Sequence, residues 1–259
     1  MEKEFIPKLL ELAEKYRAAE ELCVIPEEGA VKVKCSKGAF RFFYDFNKEL
    51  PQDEWINTPL FHWQAQPKYI QLRGLFDRRM VEPALAMRIH HMVQHDEFTR
   101  TLKDIIVFEA NLFEFVTRAR IDHVFADFSG EVYTNCIMSA SNNVKASMEL
   151  GFLPDGSEPV LLHEVVARTG IASDLPVDIQ TVQYPIYVFK GEKTEKYNEI
   201  DFELYGMNNT QADCIRSILW ALTDETRIGQ LRDDYAHMEK VYAAAVKASS
   251  TLSNAAVEE

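Results

Sequence analysis

The sequence predicts an α+β fold: an open, mostly antiparallel β-sheet with helices packed on one face. Three observations predict it. Segments of helical apolar spacing open and close the chain and interrupt its middle, and a long run from Ile121 to Tyr205 has the character of strands. Within that run Val144, Ala146, Met148, Leu150 and Phe152 face one way, while Lys145, Ser147 and Glu149 face the other. The flanking Ser141-Asn142-Asn143 and Pro154-Asp155-Gly156 are turn sequences, and such short connections join antiparallel neighbours.

The elements follow in order. Residues 4–20 carry Phe5, Leu9, Leu12, Ala13 and Tyr16 at helical spacing. Short strands are expected at Leu22–Ile25, Val31–Cys35 and Phe40–Phe46, separated by Glu28-Gly29 and Lys37-Gly38. Residues 47–60 are expected to be a loop that divides an N-terminal unit, 1–60, from an α+β sheet domain, 61–259. A helix is expected over Pro67–Arg79, with the proline in its first turn. A strand follows over Ala84–Val93, then a helix over Phe98–Ala119 that is apolar on most sides and must therefore lie between layers. Further strands are expected at Val160–Arg168, Thr181–Phe189 and Ile200–Tyr205. Thr210 and Asp213 suggest a capping box for a helix that breaks near Thr223-Asp224. A last helix follows, with a frayed polar tail after Ser249.

Composition narrows the function. The 259 residues carry 41 acidic and 28 basic side chains, a net charge of −13. An acidic surface repels phosphate backbones, so no nucleic-acid partner is expected; Arg78, Arg79 and Arg88 are too few to make a basic patch. No apolar run approaches the roughly 18–20 residues of a membrane span, so no membrane partner is expected either. The charged start, Met-Glu-Lys-Glu-Phe, does not resemble a secretory signal. Cys23, Cys35, Cys136 and Cys214 make no CxxC pair and are expected to be reduced thiols in a cytoplasmic protein.

Candidate chemistry is sparse. His90 and His91 are neighbours on a strand and point to opposite faces. His91 and His95 share a parity but lie too far apart for one ion without a turn, so no metal site is expected. His62, Trp63, His91 and His163 are the candidate ligand-binding residues. Asp104, Glu109 and Glu114 lie on the apolar helix, where burial would raise a carboxyl pKa, unless each reaches the helix edge or pairs with Arg118 or Arg120. Cys136 falls on a central strand, where a thiol is usually inert. No glycine-rich phosphate loop, GxGxxG or GxSxG turn is present, and no cofactor is expected. The catalytic residues are unassigned.

From about residue 64 onward the order of elements resembles the C-terminal domain of the glucose–fructose oxidoreductase/inositol dehydrogenase family (Gfo/Idh/MocA). The matching pieces are the helix from Gln66 to Arg73, the strand Ala86–His90, the helix around Lys103–Ile106, and the closing segment His237–Ser249. The resemblance implies that fold. Members of the family carry a Rossmann domain and a Glu-Lys-Pro segment with a catalytic lysine, and this sequence contains neither. The family's Asp, then three residues, then catalytic His is matched at Asp104, but Phe108 takes the histidine position and Asn111 takes that of a further Asp.

The resemblance implies a non-redox, standalone relative of the substrate domain, binding a sugar-like small molecule or a partner. Two alternatives stand beside it. One is a subunit of a split NAD(P)-dependent oxidoreductase whose Rossmann domain is a separate protein. The other is an enzyme of non-redox sugar chemistry that uses His91, His163 or Glu164 as acid or base. Apolar residues of both parities on Ile121–Phe128 (Ile121 and Phe125 against Val124 and Phe128) and on Thr181–Phe189 imply a second cover layer, most simply a C2 homodimer. The competing cover is residues 1–60 folded back over that face. With no glycine-rich strand–turn–helix, calorimetric titration of the isolated chain with NAD or NADP is expected to show no saturable binding.

Overall fold

The computed structural model describes residues 4–78, 84–96, 98–168, 170–174, 186–190, 193–197, 202–204, 207–224 and 226–258. Its central element is the helix α3 (Leu102–Thr117), in which every residue except Lys103 and Phe108 is buried. The all-round apolar pattern has this cause: one side of α3 meets a large sheet, while the helices α2 (Pro67–Asp77) and α5 (Arg227–Thr251) flank it.

The large sheet has seven strands: β5 (Ala84–Val93), β6 (Ile121–Ser129), β7 (Tyr133–Ala140), β8 (Lys145–Phe152), β9 (Val160–Ala167), β10 (Gly170–Ser173) and β13 (Ala255–Ala256). Their order is β10-β9-β5-β8-β7-β6-β13, and all neighbours are antiparallel except β5 and β8. The predicted fold class holds: an open, mostly antiparallel sheet with helices on one face. The β8 alternation is as predicted, with Ala146, Met148 and Leu150 buried and Lys145, Ser147 and Glu149 exposed. On β6 a register shift between Ile121 and His123 turns both Ile121 and Val124 inward, so the expected opposition of those two is corrected.

A smaller sheet pairs β1 (Cys23–Glu27), β2 (Ala30–Cys35), β3 (Gly38–Phe43) and β4 (Ile56–Pro59). The segment 47–60 is therefore not all loop: its end runs parallel to β3. Arg41 explains how so polar a stretch is held. Its guanidinium is almost fully buried and binds Asp53 and Asn57, at 2.6 and 2.9 Å, and Glu27 at 3.2 Å. This sheet packs on the helical side: Phe43 meets Tyr235 of α5 edge-on at 5.0 Å, and Tyr44 meets Phe98 at 4.6 Å. α1 (Phe5–Lys15), shorter than expected because Arg17 is left-handed, meets α4 (Asn209–Thr223). The first sixty residues therefore do not cover the open face of the large sheet, where Ile137 is 49% and Ile171 62% exposed.

Four further expectations are corrected. β11 (Ile186–Lys190) and β12 (Lys193–Tyr197) form a separate two-stranded ribbon, not part of the large sheet; positions 181–185 lie outside the described residues. Phe202–Leu204 is a 3-10 turn where a strand was expected. The cap of α4 is Asn208, whose side chain accepts from the Gln211 N–H, while Asp213 turns inward to Gln66 and Arg216. The tail does not simply fray: α5 runs to Thr251, and Ala255–Ala256 then pairs with β6.

The capping box belongs instead to α3, where Thr101 is the N-cap and Asp104 the N3 residue. Asp104 accepts from the N–H groups of Thr101 and Arg100, at 2.8 and 3.0 Å, and from Asn47 Nδ2 at 3.0 Å. The aspartate that matches a catalytic position is thus committed to starting the helix. Asp104→Ala is expected to lower stability by about 2 kcal/mol, since a cap and buried donors are lost together; urea denaturation followed by circular dichroism checks this.

Candidate functional site

Three polar side chains point from the two layers into the contact between α3 and the large sheet. His91 on β5 and His163 on β9 share the buried face, because Ile89 is the strand partner of His163 and His91 lies two residues beyond Ile89. Glu109 on α3 meets both and is fully buried. Its Oε1 is 2.5 Å from His91 Nδ1, and its Oε2 is 3.1 Å from His163 Nε2. His163 Nδ1 in turn lies 2.8 Å from Asp174 Oδ2, which also accepts from Lys68 Nζ at 3.0 Å. The backbone N–H of His163 donates to the other oxygen of Asp174 at 2.7 Å. A chain of alternating charge therefore runs Glu109–His163–Asp174–Lys68, with His91 hydrogen-bonded to its first member.

Both ring nitrogens of His163 face carboxylate oxygens, so both carry hydrogen and the ring is an imidazolium. Burial opposes that charge, but the Glu109 carboxylate and the Asp174 hydrogen bond outweigh it and raise the His163 pKa to about 9. The same contacts work in reverse on the carboxylates. Burial would raise Glu109, but the His163 charge and hydrogen bonds from both histidines bring it to about 2. Asp174 is likewise lowered to about 2 by His163, against burial. The expectation that burial leaves a raised carboxyl on this helix is thus corrected for Glu109, whose partners are histidines rather than Arg118 or Arg120. Asp104 is raised, by burial. Glu114 does pair with Arg120, at 2.9 Å.

Beside this chain lies a cavity of about 170 Å³. Its wall includes His62 and Trp63 from the 3-10 turn His62–Ala65, Gln66 and Tyr69 at the start of α2, Phe108 of α3 and His91 of β5. Phe108 packs against Trp63 at 4.3 Å with the rings tilted, and meets His91 edge-on at 5.2 Å. His163 does not line the cavity; it adjoins Tyr69, whose ring lies 5.0 Å away. Burial brings His62 down to about 4, so its ring is neutral at pH 7. His62 Nδ1 and Gln66 Oε1 are buried and have no hydrogen-bond partner. Trp63 Nε1 and Gln64 Nε2 both donate to Asn111 Oδ1, at 3.0 and 2.7 Å, so Asn111 fixes the turn from behind.

The four residues singled out from sequence, His62, Trp63, His91 and His163, are thus placed around one region. The other candidates lie elsewhere. His90 is on the open sheet face, 3.8 Å from Glu149, and Glu164 is there too, 3.7 Å from Arg88. His95 stacks on Phe152 and donates to the Arg100 carbonyl. The Cys136 thiol is buried and pushed up to about 11, which keeps it protonated. Among the described residues no three potential ligands are grouped to hold a metal. Sequence reading missed Gln66, Tyr69, Lys68 and Asp174. The one available signal was the pair of inward histidines on apolar strands, which require a buried counter-charge.

Solved structures share this fold. Myo-inositol 2-dehydrogenase from Lactobacillus plantarum superposes with a TM-score of 0.55 at 12% identity, over 79% of this chain and 66% of that one. Scyllo-inositol dehydrogenase from Lactobacillus casei, solved with bound NAD(H) and scyllo-inositol, gives 0.54 at 13% identity, over 78% and 65%. An oxidoreductase domain protein from Kribbella flavida gives 0.55 at 12%, over 78% and 67%. The chain spans about two thirds of the length of these proteins, and at such identities the likeness establishes the fold. No family model and no curated protein sequence matches.

The charge chain makes stability depend on pH. His163 has a folded pKa above its ordinary 6.5, so its contribution is complete below pH 6.5 and is lost as pH rises through about 9. Glu109 and Asp174, both lowered, contribute above about pH 4.5 and lose that contribution as pH falls toward 2. Thermal unfolding between pH 6 and 9.5 is expected to show a loss on the order of 2 kcal/mol that His163→Gln abolishes.

Proposed function

We propose that this chain is a non-redox relative of the inositol dehydrogenase fold, whose cavity binds a neutral, polyhydroxylated, sugar-like molecule. One observation carries the reading. Two buried polar atoms, His62 Nδ1 and Gln66 Oε1, lack partners, and both residues wall a cavity faced with Trp63, Tyr69 and Phe108. A buried polar atom left unpaired costs about 1–3 kcal/mol, and a ligand hydroxyl would recover that cost at each atom. Aromatic faces suit the C–H surface of a sugar ring. The aspartates on the wall, Asp96, Asp104 and Asp213, are engaged by backbone N–H groups and by Arg216, and the neutral His62 adds no positive charge, so nothing on the wall is set to pair with an anionic substrate. Each water needs roughly 10–15 Å³ of such space, so the cavity has room for a monosaccharide-sized group.

His91 adds a chemical possibility to binding. His91 Nδ1 faces Glu109 while the ring lines the cavity, the arrangement in which a carboxylate orients a histidine. The fold neighbours that act on inositols, one of them solved with scyllo-inositol, support testing cyclitols first. Titration of a panel of cyclitols and hexoses, followed by tryptophan fluorescence and calorimetry, is expected to give saturable binding by at least one neutral polyol. Gln66→Leu and His62→Phe are each expected to weaken it about tenfold, or ~1.4 kcal/mol. Saturation only by charged ligands, or binding unchanged in both variants, overturns the reading.

The reading includes assembly through the open face of the large sheet. Ile137 and Ile171 stand on that face among charged neighbours, and the N-terminal sheet packs elsewhere. A C2 homodimer joined there is expected. Sedimentation equilibrium at micromolar concentration should give twice the 29.8 kDa chain mass, and Ile137→Glu with Ile171→Glu should give the monomer.

A further inference from the structure

On the far side of Gln64 from the aromatic cavity, a second cleft of about 340 Å³ opens between the C-terminal halves of α2 and α3 and the first turn of α5. Four arginines line it: Arg73, Arg118, Arg120 and Arg227. The acidic groups on its wall are Glu114 and Asp234. These charges are unevenly matched. Arg120 takes both carboxylates, Glu114 at 2.9 Å and Asp234 at 2.7 Å, and Glu114 also accepts the Ile121 N–H at 2.6 Å. Arg118 turns to Asp77, at 2.6 Å. Among the described residues Arg73 and Arg227 have no carboxylate partner. Their guanidinium groups lie instead on aromatic rings, Arg73 over Phe115 at 4.4 Å and Arg227 over Trp220 at 4.0 Å, and Arg227 also donates to Gln64 Oε1.

Two guanidinium groups with no carboxylate in contact among the described residues, in one cleft of a chain with net charge −13, need a cause. Arg227 is buried and stands at the first position of a 25-residue helix, whose dipole places positive charge at that end. No acidic residue occupies the first turn of α5; Asp224, just before the helix, accepts from the N–H and hydroxyl of Thr226 at 3.0 and 2.7 Å. Burial, with Arg73 adding to it, brings the Arg227 pKa down to about 10 against the attraction of Asp234 and Asp224. Arg73 is lowered by burial and by Arg118, against Asp77 and Asp234. Asp77 and Asp234 are themselves bound to Arg118 and Arg120, so they act on Arg73 and Arg227 only from a distance.

We propose that this cleft is a binding site for phosphate or a phosphate ester, held by Arg73 and Arg227 at the N-terminus of α5. A phosphate group at neutral pH carries about −1.5 to −2 charge, which matches two guanidinium groups that lack a bound carboxylate better than the single charge of a carboxylate does. Planar guanidinium groups present paired N–H donors to oxyanions, and Gln64 and Gln230 on the same wall add amide donors.

The test uses the full chain and inorganic phosphate, read by phosphorus NMR line broadening and by thermal shift, with chloride at equal ionic strength as the reference. Saturable broadening and a rise in melting temperature that chloride does not reproduce are expected. Arg73→Gln and Arg227→Gln should each weaken phosphate binding at least tenfold, whereas Arg88→Gln on the open sheet face should not. Circular dichroism of Arg73→Gln and Arg227→Gln at the assay temperature is expected to match the parent, and this separates lost binding from lost folding. A glycerol phosphate arm distinguishes the sources: tighter binding than inorganic phosphate assigns the site to an ester. Absence of saturation, an equal response in Arg88→Gln, or acetate binding as tightly as phosphate overturns the proposal. Because the cleft and its ligand differ from those of the aromatic cavity, failure here leaves the polyol reading standing.

Discussion

Glu109 is a carboxylate with no access to water, in the middle of the one helix that separates the molecule's layers. A bare charge there would cost far more than a domain's margin of stability. It is tolerated because two histidines from adjacent strands reach it, and because the second of them is held from behind by Asp174 and Lys68. This arrangement fixes the rotation of α3 on the sheet: the face carrying Glu109 must meet β5 and β9. Removing one partner of such a group is strongly destabilising. The network therefore gives the helix–sheet contact a single register, which apolar packing alone would leave looser.

The cavity follows from that register. With Glu109 turned to the sheet, Phe108 turns toward the 3-10 turn and packs against Trp63, and Asn111, less than one turn on, holds Trp63 and Gln64. The positions that resemble catalytic ones are thus taken by other work. Asp104 begins the helix, Phe108 forms an aromatic wall, and Asn111 anchors a turn. The same turn sends successive residues to two different clefts, His62 and Trp63 to the aromatic one and Gln64 to the arginine-lined one.

Much of the architecture was legible in the sequence, for reasons that particular residues show. Val144–Phe152 alternates cleanly because one sheet face is buried and the other is wet, and β5 occupies its predicted span for the same reason. The dense apolar content of 102–117 announced a helix between layers. Weaker signals failed where a local motif competed with tertiary demands. Asp213 suggested a cap three residues after Thr210, but Gln66 and Arg216 draw it inward and Asn208 caps instead. Ile56–Pro59 is a strand only because the edge of β3 is there to pair with it.

The sequence by itself determined the α+β class, the central helix and the inward parity of His91, because period and parity are local properties that burial imposes directly. It also placed His62 and Trp63 side by side. Only the tertiary structure decided which charges meet. Glu109 lies 18 residues from His91 and 54 from His163, and no spacing rule joins residues across a layer. The same holds for the arginines: in the sequence Arg78, Arg79 and Arg88 stood out because they lie close together, while Arg73, Arg118, Arg120 and Arg227 were scattered. Folding gathers the scattered set at one cleft, because electrostatic potential depends on distance in space rather than on separation along the chain.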